Sequence, residues 1–398
     1  MKKETFTLYS LIEIRFADPI SALGLSLQNV VIGTMMGRIC SFSIKDKKST
    51  LINELSQENI SGIVFDEKNN VFYASVGDDE ILKFNIDSPN SNLITRIKNY
   101  KSDYAHSKKC ENMFTLISKN SLLLIELAPQ EEGNITINKY DAFIQITHLE
   151  NEEKDNFSIQ ITNYSIPLDY DGTFFVYVEF LSDKKRRLCV QNTLDLDSKI
   201  FKLPLDEKFG HVSHCKIIPG RKLFLVRDLN KCEIREINEK FTLVKSFTSI
   251  GDEVIAIDFY DNSNVNNDDN YYNINVKKIN NINDKDNILK VKNVKNIPIK
   301  ETNNNDFRRE SNNIMNENQT LRKNQIVLGM LDIDGNVNFF ENDKIIKKFN
   351  LYDIKEINKE QKKKQFFSMG YAYYLKFNKN FICITSDHGC YVIKINYK

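Results

Sequence analysis

The soft ligands and nucleophiles of the chain are five histidines and seven cysteines, and the tightest group among them is His211, His214 and Cys215. A His-x-x-His-Cys group offers nitrogen and sulfur donors of the kind zinc takes. In a strand, however, positions three apart point to opposite faces, so His211 and His214 diverge. No second ligand pair stands elsewhere in the sequence, and neither a metal nor a cofactor is expected. Asp332, Asp334, Asn336 and Asn338 alternate like the oxygen ligands of a calcium loop. Gly335 is in the wrong place for an EF-hand bend and no helical pattern flanks it, so a β-turn between strands is the reading. Gly-x-Ser-x-Gly, a Gly-rich phosphate loop and His-Glu-x-x-His are all missing. With only 14 glycines in 398 residues, no catalytic residue is assigned and an enzyme is not expected. The remaining chemistry is cationic. Lys184, Lys185, Arg186 and Arg187 fall at one hairpin tip, and Lys359, Lys362, Lys363 and Lys364 in a connector. Either cluster suits a membrane phosphoinositide, nucleic acid or an acidic protein, although a formal charge of +1 supplies no long-range field.

The elements that position these groups repeat. An apolar strand, a short polar turn and a second apolar strand recur in NVVIGTMMGRICSFSI (from Asn29), VFYASVGDDEILKFNI (from Val71), MFTLISKNSLLLIEL (from Met113), FFVYVEFLSDKKRRLCVQNT (from Phe174), KLFLVRDLNKCEIREI (from Lys222), QIVLGMLDIDGNVNFF (from Gln325) and FICITSDHGCYVIKI (from Phe381). Aligned on the first apolar residue after the turn, Ile39, Ile81 and Leu122 are 42 and 41 residues apart, and Leu188 and Cys232 are 44 apart. That is the period of a propeller blade. Further strand-like stretches precede the hairpins (20–27, 60–66, 157–162, 212–218, 254–260 and 369–377) and follow them (51–55, 93–97, 134–140, 199–203, 241–247 and 345–351). Four short strands per unit, rich in Ile, Val, Phe and Tyr, predict an all-β, seven-bladed β-propeller. The inner strand of the third blade is expected near residues 104–110.

The last hairpin leaves the seventh blade without an outer strand, and the alternating N-terminal stretch 5–14 can supply it, closing the ring and removing its open edges. Residues 262–324 are rich in Asn with Asp, Lys and Ser, a composition too polar to offset ordering entropy, and are read as a disordered insertion within blade six of a single domain. Hydrophobic residues make up 41% of the chain and mean hydropathy is −0.42, which excludes a wholly disordered protein and a multi-span membrane protein. Glu13 and Arg15 interrupt the N-terminal apolar stretch, so no signal peptide is expected. The odd number of scattered cysteines reads as reduced thiols, and a cytoplasmic or nuclear location follows as the expectation.

At its turns the sequence resembles the WD-repeat (WD40) family. Blade two has Asp78, Asp79, Glu80 and Ile81 followed by Phe84 and Asn85. Blade six has Asp334, Gly335, Asn336 and Val337 followed by Phe340 and Glu341. Blade seven has Ser386, Asp387, His388 and Gly389, and Gly210 and His211 resemble the family's Gly-His pair. The chain has no Trp and blades one and three lack the turn Asp, so the likeness picks no subfamily. It implies structural roles for Asp78, Asp334, Asp387 and His211, and a non-catalytic scaffold that binds other proteins within a larger intracellular assembly. The alternative is docking on phosphoinositide membranes or nucleic acid through Lys184, Lys185, Arg186 and Arg187. Phe307, Arg308 and Arg309 resemble only in part the phosphoinositide motif of some propellers, since Glu310 replaces its Gly.

Overall fold

The computed structural model describes residues 4–14, 18–54, 58–77, 80–86, 93–98, 112–118, 120–132, 135–151, 153–161, 165–182, 185–195, 199–205, 215–218, 221–228, 231–248, 253–261, 326–341, 344–355, 357, 367, 373–387 and 389–397. These residues form seven four-stranded antiparallel sheets arranged as the blades of a propeller. Blade one is β2 (Ile20–Leu25), β3 (Asn29–Thr34), β4 (Arg38–Ser43) and β5 (Lys48–Glu54); blade two is β6 (Ile60–Asp66), β7 (Val71–Val76), β8 (Glu80–Asn85) and β9 (Leu93–Lys98). Blade three is β10 (Asn112–Ile117), β11 (Ser121–Glu132), β12 (Ile135–His148) and β13 (Lys154–Ile161); blade four is β14 (Ser165–Tyr170), β15 (Phe174–Ser182), β16 (Lys185–Asn192) and β17 (Phe201–Leu205). Blade five is β18 (Cys215–Ile218), β19 (Leu223–Asp228), β20 (Lys231–Glu236) and β21 (Leu243–Thr248); blade six is β22 (Val254–Asp261), β23 (Ile326–Asp332), β24 (Asn336–Glu341) and β25 (Lys344–Asn350). Blade seven joins β26 (Leu375–Phe377), β27 (Phe381–Ser386) and β28 (Gly389–Tyr397) to β1 (Glu4–Glu13). The first strands of the blades form the inner rim: β2 lies by β6, β6 by β10, β10 by β14, β14 by β18, β22 by β26 and β26 by β2, and Lys216 of β18 reaches Asp258 of β22.

The second strands are buried on both sides, which is why they read as nearly continuous apolar runs, whereas third strands such as β8 and β20 mix buried and partly exposed positions. In β15, Phe174, Val176 and Val178 pack toward blade five while Phe175 and Tyr177 pack toward blade three. Among the described residues the buried apolar side chains fall into seven clusters, one at each junction between neighbouring blades. The junctions are tight enough to require missing side chains. A Cβ on Gly33 would lie 2.3 Å from Ile60 Cγ2 of the next blade, and one on Gly329 would lie 2.7 Å from Phe377 Cε1.

The expected closure is present. β1 pairs antiparallel with β28 from Glu4 opposite Tyr397 to Glu13 opposite Gly389, with a bulge between Leu8 and Ser10. Tyr9, at the bulge, reaches out of blade seven: its hydroxyl donates to Ile44 O at 2.6 Å beyond the end of β4, and Lys47 Nζ lies 4.6 Å from its ring. On the other side Phe6 stacks on Phe349 of blade six, with 4.3 Å between centroids. The clasp therefore touches both neighbours of the blade it completes.

Blade three differs from the expectation. The stretch 113–127 holds the first and second strands, β10 and β11, rather than the second and third. The stretch 157–162 falls mainly in β13, the outer strand of blade three, and β14 is the inner strand of blade four. The 41-residue step from Ile81 to Leu122 compared a third strand with a second one. The reason is length: β11 and β12 run for 12 and 14 residues, so the turn between them lies well past where a six-residue strand would end. The stretch 104–110 lies outside the described residues, as does the insertion 262–324. No helix among the described residues is long and apolar enough to cross a membrane.

Candidate functional site

The hairpin tips on one face and the inner rim are the two places where charged groups gather. At the blade-four tip, Lys184 lies outside the described residues. Lys185 opposes Ser182, Arg186 opposes Phe180 and Arg187 opposes Glu179 across β15 and β16. Lys185 is exposed, whereas the Arg187 guanidinium is bound to Glu179, whose side chain is 2% exposed. Cys189 Sγ also donates to Glu179 at 3.5 Å. Glu179 is a buried carboxylate that needs a cation, so Arg187 belongs to the blade interior and is not part of an open basic tip. Burial beside Glu179 pushes the Cys189 thiol up to about 12, which removes it as a nucleophile at neutral pH.

The remaining sequence candidates separate. Asp78, His211 and His214, together with Lys359, Lys362, Lys363 and Lys364, lie outside the described residues. Asp387 accepts the Tyr373 hydroxyl at 2.5 Å within blade seven. In blade six the turn is fixed by Asp332 instead of Asp334: Asp332 accepts from Asn336 N at 2.8 Å and Asn336 Nδ2 at 3.1 Å. The Asp334 residue is exposed and contributes its carbonyl to Asn350 Nδ2 at 3.0 Å. Gly335 takes φ +77° and its N–H donates to Asp332 O at 3.0 Å, so Asp332 to Gly335 is a β-turn. Cys215 is buried, and its thiol is pushed well up by desolvation. Among the described residues no three His, Cys, Asp or Glu side chains converge as a metal site.

The rim holds a charge cluster that the reading of motifs did not find. Four consecutive inner strands each place a charge among apolar residues: Asp169 on β14, Lys216 on β18, Asp258 within β22, whose last residue is Asp261, and Lys376 on β26. Lys216 Nζ and Lys376 Nζ both donate to Asp258 Oδ1, at 3.2 and 3.3 Å, and Phe377 N donates to Asp258 Oδ2 at 3.4 Å. One blade earlier the arrangement recurs in part, with Ile217 N donating to Asp169 Oδ2 at 2.6 Å. The Asp258 side chain is 6% exposed, those of Lys216 and Lys376 27% and 37%. Asp258 raises Lys376 above the usual lysine range, whereas burial and then the neighbouring Lys376 lower Lys216. Burial pushes Asp169 up to about 6. A signal for this cluster was present in the sequence. A single charge inside a short apolar strand requires a partner, and here the signs alternate from blade to blade.

No family model matches the chain, and no curated protein matches it. Among solved structures it is similar to the computationally designed Ika8 protein, with 11% identity over 99% of this chain and 100% of that chain and a TM-score of 0.48.

Proposed function

We propose that this protein is a non-catalytic interaction platform of WD-repeat type, binding other proteins through the face that carries the turns between the second and third strands of each blade. The observation that carries the reading is the hairpin of blade three. Its strands continue past the last pairing with β10, at Leu127, and past the last pairing with β13, at Tyr140, as a two-stranded ribbon to Glu132 and Ile135. A ribbon whose outer edges pair with no other strand among the described residues, held by a rigid ring, is suited to partner recognition. The same face exposes apolar side chains at other tips: Met35 is 50% exposed, Met36 46% and Leu181 40%. Asp387, bonded within its own blade, supports the family likeness.

The test is purification of the tagged chain from its native cells with mass spectrometry of what accompanies it, repeated with residues 130–139 replaced by Asn-Gly. A stable set of proteins that is lost from the trimmed chain is expected. A protein that purifies alone, or a set indifferent to the trimming, contradicts the reading.

A further inference from the structure

The inner rim is a second feature, independent of the platform reading. Two ammonium groups, on blades five and seven, are brought together by one carboxylate oxygen of blade six. Each lysine has three N–H donors and directs one at Asp258, and both side chains keep about a quarter to a third of their surface open. Asp258 is itself engaged on both oxygens, with Phe377 N on the second. Asp169 supplies the nearest further negative charge, and its Oδ2 is directed at the Ile217 backbone. The arrangement thus has two cations in contact with one acidic oxygen, each ammonium with N–H donors beyond the one directed at Asp258. Like charges this close repel unless an anion lies between or beside them, and after burial the neighbouring Lys376 is the next cause that lowers the affinity of Lys216 for its proton.

We propose that Lys216 and Lys376, held side by side by Asp258, bind the oxyanion of a small phosphate or phosphate ester that enters the central channel. The tetrahedral group would take a charge-assisted hydrogen bond from each ammonium, on the side opposite Asp258. Asp258 then has two roles: it positions the lysines and it competes with the ligand for them.

Titration calorimetry of the full chain at constant ionic strength tests this, with inorganic phosphate in one arm and glycerol 3-phosphate in the other. One saturable site per chain is expected. Binding of inorganic phosphate alone identifies a free anion, and tighter binding of the ester identifies an organic phosphate. Lys216→Met and Lys376→Met are each expected to weaken binding about tenfold or more. Asp258→Asn keeps an acceptor for the lysines but removes the competing charge, and is expected to tighten binding about tenfold, a gain that unfolding cannot mimic. Failure of the wild-type chain to saturate below about 10 mM of either probe overturns the proposal, whatever the variants do. So does binding that survives loss of both lysines, or an Asp258→Asn chain, shown by its melting curve to be folded, that binds no more tightly.

Discussion

Asp169 shows how one side chain couples charge to the assembly of the ring. Its carboxylate accepts the Ile217 N–H of the next blade at 2.6 Å, yet burial pushes it up to about 6. A carboxyl group raised in the folded state favours the protonated fold. Its contribution is most favourable below the unfolded value near 4 and declines as pH rises from about 4 to about 6. Asp169→Asn keeps the acceptor and removes the titration. The variant is expected to be more stable than the parent at pH 7 by about 1–3 kcal/mol, the lower figure reflecting the partial contact of Asp169 with water. Its urea midpoint should also vary less between pH 4 and 6, and a parent and variant with parallel pH profiles would contradict this. Gly33 makes a steric counterpart. A methyl group there meets Ile60 at 2.3 Å, so Gly33→Ala is expected to cost about 1–3 kcal/mol by overpacking, read as a lowered urea midpoint. Neither residue belongs to a motif. Turns have a local chemistry that can be read, although in blade six the carboxylate that bonds is Asp332 and not the Asp334 two residues on. The rim charges were not sought, because Lys216 and Asp258 are 42 residues apart and Lys376 and Asp258 are 118 apart, and only the packing of one blade on the next brings them together.

At the scale of the element, strand length decides what could be read. Blades one, two, four, five, six and seven present their second and third strands as one compact hairpin, and their pairing follows the expected apolar runs. Blade three breaks the pattern because Pro129 and the polar residues after it look like a connector, while the ladder passes through them with a bulge between Pro129 and Gln130. The preceding tight turn at residues 118–121 then imitates the turn between second and third strands. The ribbon beyond Pro129 and Tyr140 pairs with itself. Replacing residues 130–139 by Asn-Gly, a two-residue hairpin turn, is therefore expected to leave the melting temperature within a few degrees of the parent. A large loss would show that the ribbon supports the ring. Tyr9 is the opposite case, an element's end that holds two blades. Tyr9→Phe removes the bond to Ile44 O and should cost about 1 kcal/mol. Tyr9→Ala also removes the ring that packs edge-on against Phe42 and Phe381 and should cost about 3–5 kcal/mol. Urea unfolding of the two variants separates the bond from the packing.

For the whole molecule, period and composition made the ring legible: a blade-length repeat, apolar runs buried on both faces, and a last blade short of one strand. The identity of partners was not legible, since surface chemistry at loop tips has no periodicity to read. The platform reading rests on a closed ring, which fixes the hairpin face, whereas Lys216, Asp258 and Lys376 are brought together by the packing of the consecutive blades five, six and seven. Closure depends on β1, whose loss would expose the β28 edge along its pairing from Gly389 to Tyr397 and uncover Ile12's place in the cluster between blades seven and one. The most direct measurement is the thermal melting of the chain lacking residues 1–14, alone and with a synthetic peptide of residues 1–14 added back. A melting temperature many degrees below that of the full chain, recovered in part as the peptide saturates the open blade, is the predicted result. A truncated chain that melts with the full-length protein and ignores the peptide would contradict the clasp that closes the ring and the platform reading built on it.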